Sequence, residues 1–189
     1  YYCTFANIIN GEEMVSGLKL FDLKGKTALI TGSSQGIGYA LANGLAEAGS
    51  DIILNGRNIK KLKQSAVSIN TKQMIFQLCF DVTDYEQVKQ SIDKFEQEIR
   101  PIDILINNAG MQFRTPLEDF PPEKFEELLK TNVSSVFNVS QVVAKHMIKR
   151  GEGKIINIGS VQTSLARPGI APYTATKGAV GNITKGMAT

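Results

Sequence analysis

Cysteine and histidine are scarce in this chain, and each scarcity excludes a class of chemistry. Two cysteines, Cys3 and Cys79, and one histidine are spread over 189 residues. Neither cysteine stands in a C-x-x-C spacing, which excludes the common zinc and thiol-redox motifs. Disulfide scaffolding has no material, so a reducing, cytoplasmic setting is expected. Clusters of metal-ligating residues are missing too, and no metal is expected. Charge of one sign is also short. Lys and Arg total 21 against 18 Asp and Glu, a net charge of +3, and no basic block occurs. That excludes a nucleic-acid surface. No apolar run approaches the ~20 residues of a membrane span. The opening Y-Y-C-T-F-A-N-I-I-N has neither a basic start nor a long apolar stretch, so it does not read as a secretory signal. It also has no period. Residues 1–19 are expected to form a poorly ordered extension before one domain over 20–189.

What is present is an ordinary globular composition, 42% hydrophobic and 21% charged, which can bury a core. From Lys26 a rhythm sets in. T-A-L-I-T (Thr27–Thr31), D-I-I-L-N (Asp51–Asn55), M-I-F-Q-L-C-F (Met74–Phe80), I-D-I-L-I (Ile102–Ile106) and K-I-I-N-I (Lys154–Ile158) read as strands. Helical segments alternate with them, over Ile37–Ala48, Ile59–Ile69, Asp84–Ile99, and from Pro121 to Arg150 with a bend near Asn132. A last helix starts at Pro172. Asp84 is a capping residue, and Val88, Ile92, Phe95 and Ile99 follow at spacings of three or four. Five such units predict an α/β fold, a Rossmann-type doubly wound parallel sheet with helices on both faces. Strands that are apolar without alternation fit that cover.

T-G-S-S-Q-G-I-G (Thr31–Gly38) joins the first strand to the first helix. Backbone N–H groups at a helix N-terminus form an anion site, and glycines let a pyrophosphate approach the backbone. Gly32, Ser34, Gln35, Gly36, Ile37 and Gly38 are therefore candidate contacts for a dinucleotide. The turn lacks the G-K-[ST] ending of a P-loop, which argues against ATP or GTP hydrolysis. The end of the second strand selects the cofactor. An acid there would bind the ribose 2′-OH of NAD, and an Arg would accommodate a 2′-phosphate. N-G-R-N offers Arg57 and no acid at Asn55, which favours NADP, with NAD as the alternative.

T-G-S-S-Q-G-I-G, N-N-A-G (Asn107–Gly110), Asn132, Ser160 and Y-T-A-T-K (Tyr173–Lys177) together resemble the short-chain dehydrogenase/reductases, in order and spacing, over Lys26 to Thr189. F-D-L-K-G-K-T-A-L-I-T-G, R-T-P-L-E-D-F-P and S-V-Q-T-S-L-A-R-P-G-I-A-P-Y-T-A-T-K are similar to the family's sugar-acid branch, which interconverts gluconate and 5-ketogluconate. The resemblance implies a nicotinamide beside the Tyr–Lys pair and a catalytic set of Asn132, Ser160, Tyr173 and Lys177. It places Asp81 and Val82 at the adenine, and the backbone of Asn108, Ala109 and Gly110 against the cofactor. It implies a homo-oligomer formed through the long central helices, and strand order 3-2-1-4-5-6-7. Within that order the last two strands and a helical lid would lie beyond Thr189, so the chain reads as truncated.

The chemistry follows from spacing. Residues four apart share a helix face, so Tyr173 and Lys177 project together. A free phenol, with a pKa of ~10, is a poor proton acceptor near neutrality, and a nearby ammonium favours the phenolate. Tyr173 could then exchange a proton with a secondary alcohol or its ketone. Ser160 would hydrogen-bond the same oxygen. Lys177 would also hold the nicotinamide ribose, and Asn132 a water leading to solvent, as the resemblance implies. For an anionic sugar acid, Gln162 and Arg167 are the candidate contacts beside Ser160 and Tyr173, since an arginine fork matches a carboxylate; Arg114 is a weaker one. His146, within K-H-M-I-K-R, reads as a helix-surface residue. The alternatives are another polyol reductase or a 3-oxoacyl reductase of the same family, or a truncated, inactive dinucleotide-binding module.

Overall fold

Strands that are apolar throughout need cover on both faces, and this chain supplies it by alternating them with amphipathic helices. The computed structural model describes residues 20–189; the expected extension over residues 1–19 lies outside them. Strands β1 (Thr27–Ile30), β2 (Asp51–Gly56), β3 (Ile75–Cys79), β4 (Ile104–Asn107) and β5 (Lys154–Asn157) form one parallel sheet in the order β3-β2-β1-β4-β5. The crossovers run through α1 (Gly36–Glu47), α2 (Ile59–Ser68), α3 (Tyr85–Glu98), and the pair α4 (Pro122–Leu129) and α5 (Ser135–Arg150); α6 (Ala171–Met187) follows β5. This is the Rossmann-type sheet that the sequence predicts. Among the described residues, no helix is long and apolar enough to cross a membrane.

The pleat divides the core in two. Ala28, Ile30, Ile52, Leu54, Ile104 and Ile106 face α1 and α2, where they meet Ala42, Ala46 and Leu62. Leu29, Ile53 and Leu105 point the other way, onto Val88, Ile92 and Phe95 of α3 and Val139, Val142 and Val143 of α5. Asp84 caps α3 by accepting the Gln87 N–H at 3.1 Å. Burying a side chain such as Phe95 stabilises the fold by about 1.5–3 kcal/mol.

Three expectations need revision. Cover on both faces holds for β1, β2 and β4, whereas β3 and β5 stand at the sheet's two edges and are half-exposed. β4 starts at Ile104 rather than Ile102, because the Ile102 N–H donates to the Glu96 carboxylate at 3.0 Å. His146 is half-buried, and its Nε2 lies 2.7 Å from Asp93 Oδ1, joining α5 to α3.

Parallel strands align their carboxyl ends. The segments after β1, β2, β3, β4 and β5 therefore emerge on one rim, and the strand order reverses between β1 and β4. That reversal is where open α/β sheets hold their ligands.

Candidate active site

The glycine turn after β1 is shaped by close approach. Gly32 has φ of +63°, and a Cβ there would lie 2.9 Å from the Ala109 backbone. A Cβ on Gly38 would lie 2.6 Å from the Gly32 carbonyl oxygen and 2.9 Å from Ser33 Cα. Gln35 precedes α1 in extended backbone without a side-chain cap, and no acidic residue occupies the first turn. The helix N-terminus thus keeps free N–H groups and a positive dipole end facing outward. Gly36 and Ile37 are exposed on that turn, and Ser34 is half-buried behind it. Asn108 fixes the turn from β4: its Nδ2 donates to the carbonyls of Thr31 and Gly32 at 2.9 and 3.2 Å. In return, Thr31 Oγ1 accepts the N–H groups of Asn108 and Ala109, both at 3.0 Å.

The end of β2 differs from the sequence reading in one respect. Asn55 is 1% exposed, and its amide is spent internally. It accepts the Gly32 N–H at 3.3 Å and donates to the carbonyls of Leu78 and Phe80 at 3.0 and 3.2 Å. A side chain at position 55 would not face a ribose. The next position does face the turn: a Cβ on Gly56 would stand 3.6 Å from Ser34 Oγ. Arg57 follows, exposed, with Nη1 3.8 Å from Asp81 Oδ2. Val82 sends its side chain into the core against α3, leaving only its backbone for a ligand.

The bend expected near Asn132 is a π-helical turn, Lys130–Ser134, between α4 and α5. Such turns break the regular ladder and recur at functional sites. Asn132 is buried, and its side chain makes three hydrogen bonds. Oδ1 accepts the Met111 N–H at 2.8 Å, and Nδ2 donates to the Met111 carbonyl at 2.9 Å and Thr176 Oγ1 at 3.1 Å. The side chain therefore ties the loop after β4 to α6, and both of its N–H donors are used.

Ser160 opens a 3-10 turn, Val161–Thr163, right after β5. Its Oγ accepts the Gln162 N–H at 3.1 Å, which leaves the hydroxyl proton free to be donated. Thr163 clips this turn to α6, accepting the Ser160 N–H at 3.3 Å and donating to the Lys177 carbonyl at 3.2 Å. Tyr173 and Lys177 share one face of α6, with Lys177 Nζ 5.8 Å from the centre of the tyrosine ring. The ammonium donates to the Ile158 carbonyl at 2.7 Å and is 8% exposed. Burial pushes Lys177 below the usual lysine range. The cost of burying its charge is present below that lowered value and is relieved as pH rises through it.

Around this set, Gln162 is half-buried, with Oε1 shielded from solvent and without a partner among the described residues. Arg167 and Arg114 are exposed on two loops joined by the Thr115 N–H donating to the Gly169 carbonyl at 3.2 Å. Four supporting residues escape a reading of the sequence: Thr31, Asn55, Thr163 and Thr176. A small polar residue at a strand end, or three residues along from a functional one, is the signal that could have found them.

A family model described as short chain dehydrogenase matches residues 26–189. Gluconate 5-dehydrogenase from Gluconobacter oxydans is 54% identical over 171 residues, covering 90% of this chain and 67% of that protein. The 5-keto-D-gluconate 5-reductase of Escherichia coli K12 is 41% identical over 169 residues, covering 89% of this chain and 66% of the relative. The crystal structure of a gluconate 5-dehydrogenase from Burkholderia cenocepacia, in complex with NADP and tartrate, superposes with a TM-score of 0.87 at 53% identity, over 90% of this chain and 67% of that one. The chain thus spans about two thirds of the length of these relatives.

Proposed function

The chain belongs to the short-chain dehydrogenase family, and from that premise we propose that it interconverts gluconate and 5-ketogluconate with NADP(H). The observation that carries the reading is the buried Lys177 ammonium beside the ring of Tyr173, next to a Ser160 hydroxyl that still has a proton to give. This arrangement suits proton exchange at a secondary alcohol.

The residues fit a dinucleotide. Gly32 and Gly38 form a cradle that a Cβ would fill, and α1 presents unpaired N–H groups to an anion. Gly32, Ser34, Gln35, Gly36, Ile37 and Gly38 would hold the pyrophosphate, Arg57 the 2′-phosphate, and Asp81 with the Val82 backbone the adenine. Asn108, Ala109 and Gly110 would meet the cofactor from β4. The absence of an acid at Gly56, the position that faces the turn, supports NADP over NAD. Bound there, the cofactor would supply or accept hydride. Tyr173 moves the proton to and from the substrate oxygen. Ser160 donates a hydrogen bond to that oxygen. Lys177 holds positive charge beside the phenol and would reach the cofactor's ribose. Asn132 holds the loop after β4 and α6 together.

Gln162 and Arg167 would receive the sugar acid. The relatives' names and the unpartnered Gln162 oxygen support that placement. Exposed Phe125 and Phe137 on α4 and α5 support assembly into a homo-oligomer, and the free, exposed Cys79 supports a cytoplasmic setting.

The test is a comparison of 5-ketogluconate with an uncharged ketose. In the protein carrying this sequence, Arg167→Leu is expected to raise KM for 5-ketogluconate about tenfold or more, the loss of one charge-assisted contact. The KM for the ketose should stay within about twofold. Equal effects on both would remove Arg167 from the carboxylate site, and a parent enzyme that preferred the uncharged ketose would contradict the sugar-acid reading itself.

A further inference from the structure

The rim beyond β2 and β3 holds an ion pair for which the reading so far has no use. Gly56 and Cys79 are register partners in adjacent strands, so the segments that follow them leave the sheet side by side. Arg57 lies on one and Asp81 on the other, with 3.8 Å between Nη1 and Oδ2. The two sides are unequal. Arg57 is 80% exposed and has no other acidic partner among the described residues, whereas the Asp81 side chain is 32% exposed and anchored. Thr83 donates to Asp81 Oδ1 twice, from its N–H at 2.9 Å and its hydroxyl at 2.8 Å. That fixes the carboxylate and leaves Oδ2 turned towards the arginine.

From this geometry we infer that Asp81 is a specificity-determining residue, a built-in competitor for the Arg57 guanidinium that limits how strongly the chain prefers a 2′-phosphorylated nucleotide. The inference rests on the reading that Arg57 receives the 2′-phosphate. In the free chain the guanidinium is already paired. An incoming phosphate dianion must share it or displace the carboxylate, and it meets the carboxylate's own charge at close range. A nucleotide without the 2′-phosphate pays neither cost. Asp81 therefore narrows the gap between NADP and NAD, while Arg57 widens it.

The ionisation state supports this. Partial burial pushes the Asp81 carboxyl up. The Thr83 hydrogen bonds, then the charges of Arg57 and Lys130, outweigh burial and hold it below the usual carboxylate range. The carboxylate is charged at neutral pH, and Lys130, on the π-helical turn, is the second cation within its field.

The experiment uses calorimetric titration with 2′,5′-ADP and 5′-AMP, which share the adenosine and differ in the 2′-phosphate. Asp81→Asn keeps an oxygen for Thr83 and removes the charge. It is expected to raise the affinity for 2′,5′-ADP relative to that for 5′-AMP about threefold, the size of an exposed ion pair, with 5′-AMP alone reading any change in the adenine contact. In an Arg57→Leu background the same change should leave that ratio almost unmoved. Equal changes for both ligands would place Asp81 at the adenine only and overturn the inference. A fall in the ratio would make Asp81 a positioning residue for Arg57 and overturn it too. An undiminished effect in the Arg57→Leu background would show that the carboxylate does not act through the arginine. A parent chain that does not distinguish the two ligands would sink the 2′-phosphate reading, and the inference with it. That outcome is visible before any variant is made.

Discussion

Tyr173→Phe is expected to lower ketone turnover by about 10²–10⁴-fold, the range associated with a positioned acid or base, and to leave NADP binding unchanged. The variant removes one oxygen and keeps the ring. The Tyr173 hydroxyl has no hydrogen-bond partner among the described residues, so the fold loses nothing by its removal. The ring stays in place over the side of Lys177, whose Nζ is 5.8 Å from its centre. Lys177 itself is anchored by the Ile158 carbonyl rather than by the phenol. Melting temperature and NADP affinity therefore serve as controls, and both should match the parent. Turnover that survives at the parent rate would remove Tyr173 from the proton path.

Gly38→Ala is expected to act by a different route, on NADP binding and stability. The new Cβ would stand 2.6 Å from the Gly32 carbonyl oxygen and 2.9 Å from Ser33 Cα, both backbone atoms. Neither can swing aside as a side chain can, so the whole turn must shift. It is held from several directions. Asn108 donates to Thr31 and Gly32, the Ser33 N–H donates to the Asn55 carbonyl at 2.9 Å, and Asn55 accepts from Gly32. Overpacking of this kind costs about 1–3 kcal/mol, and the displaced cradle should lose NADP affinity by more than about tenfold, or more than about 1.4 kcal/mol. Gly44→Ala, on the same helix, is the control. Its Cβ would meet nothing within 4 Å, so alanine should stabilise α1 by about 0.5–1 kcal/mol and leave NADP binding as it was. Thermal melts with and without NADP read both outcomes. Equal behaviour of the two variants would show that the turn is not the constrained element described here.

The parts of this account that were legible in the sequence are local. A helix period places Tyr173 and Lys177 on one face wherever the helix lies, and a glycine turn between a strand and a helix marks an anion site whatever surrounds it. The strand order was legible only through resemblance, because no residue pattern specifies which parallel strands are neighbours. The remainder depends on what a side chain meets across the fold. Asn55 could be seen as the missing acid, but only the pairing of β2 with β3 and the packing of the glycine turn reveal that its amide is sealed among Gly32, Leu78 and Phe80. The bend at Asn132 could be anticipated, whereas the hydrogen bonds of its side chain to Met111 and Thr176 could not, since those partners lie 21 and 44 residues away in sequence. His146 sits in a run of charged residues that reads as a solvated face. It is Asp93 on α3 that draws it into an interhelical contact. Val82 sits beside Asp81 in the sequence, yet the turn that follows β3 sends it into the core.

The central claim is that this chain interconverts gluconate and 5-ketogluconate, the hydride exchanged with NADP(H) and the proton exchanged at the Ser160–Tyr173–Lys177 set. The most direct measurement is product identification. The protein carrying this sequence is incubated with NADPH and 5-ketogluconate labelled with ¹³C at the carbonyl carbon, and the reaction is followed by NMR. The account predicts that the carbonyl resonance is replaced by that of a secondary alcohol in gluconate, one molecule for each NADPH consumed. A protein that binds NADPH tightly and leaves the labelled carbonyl unchanged would contradict it.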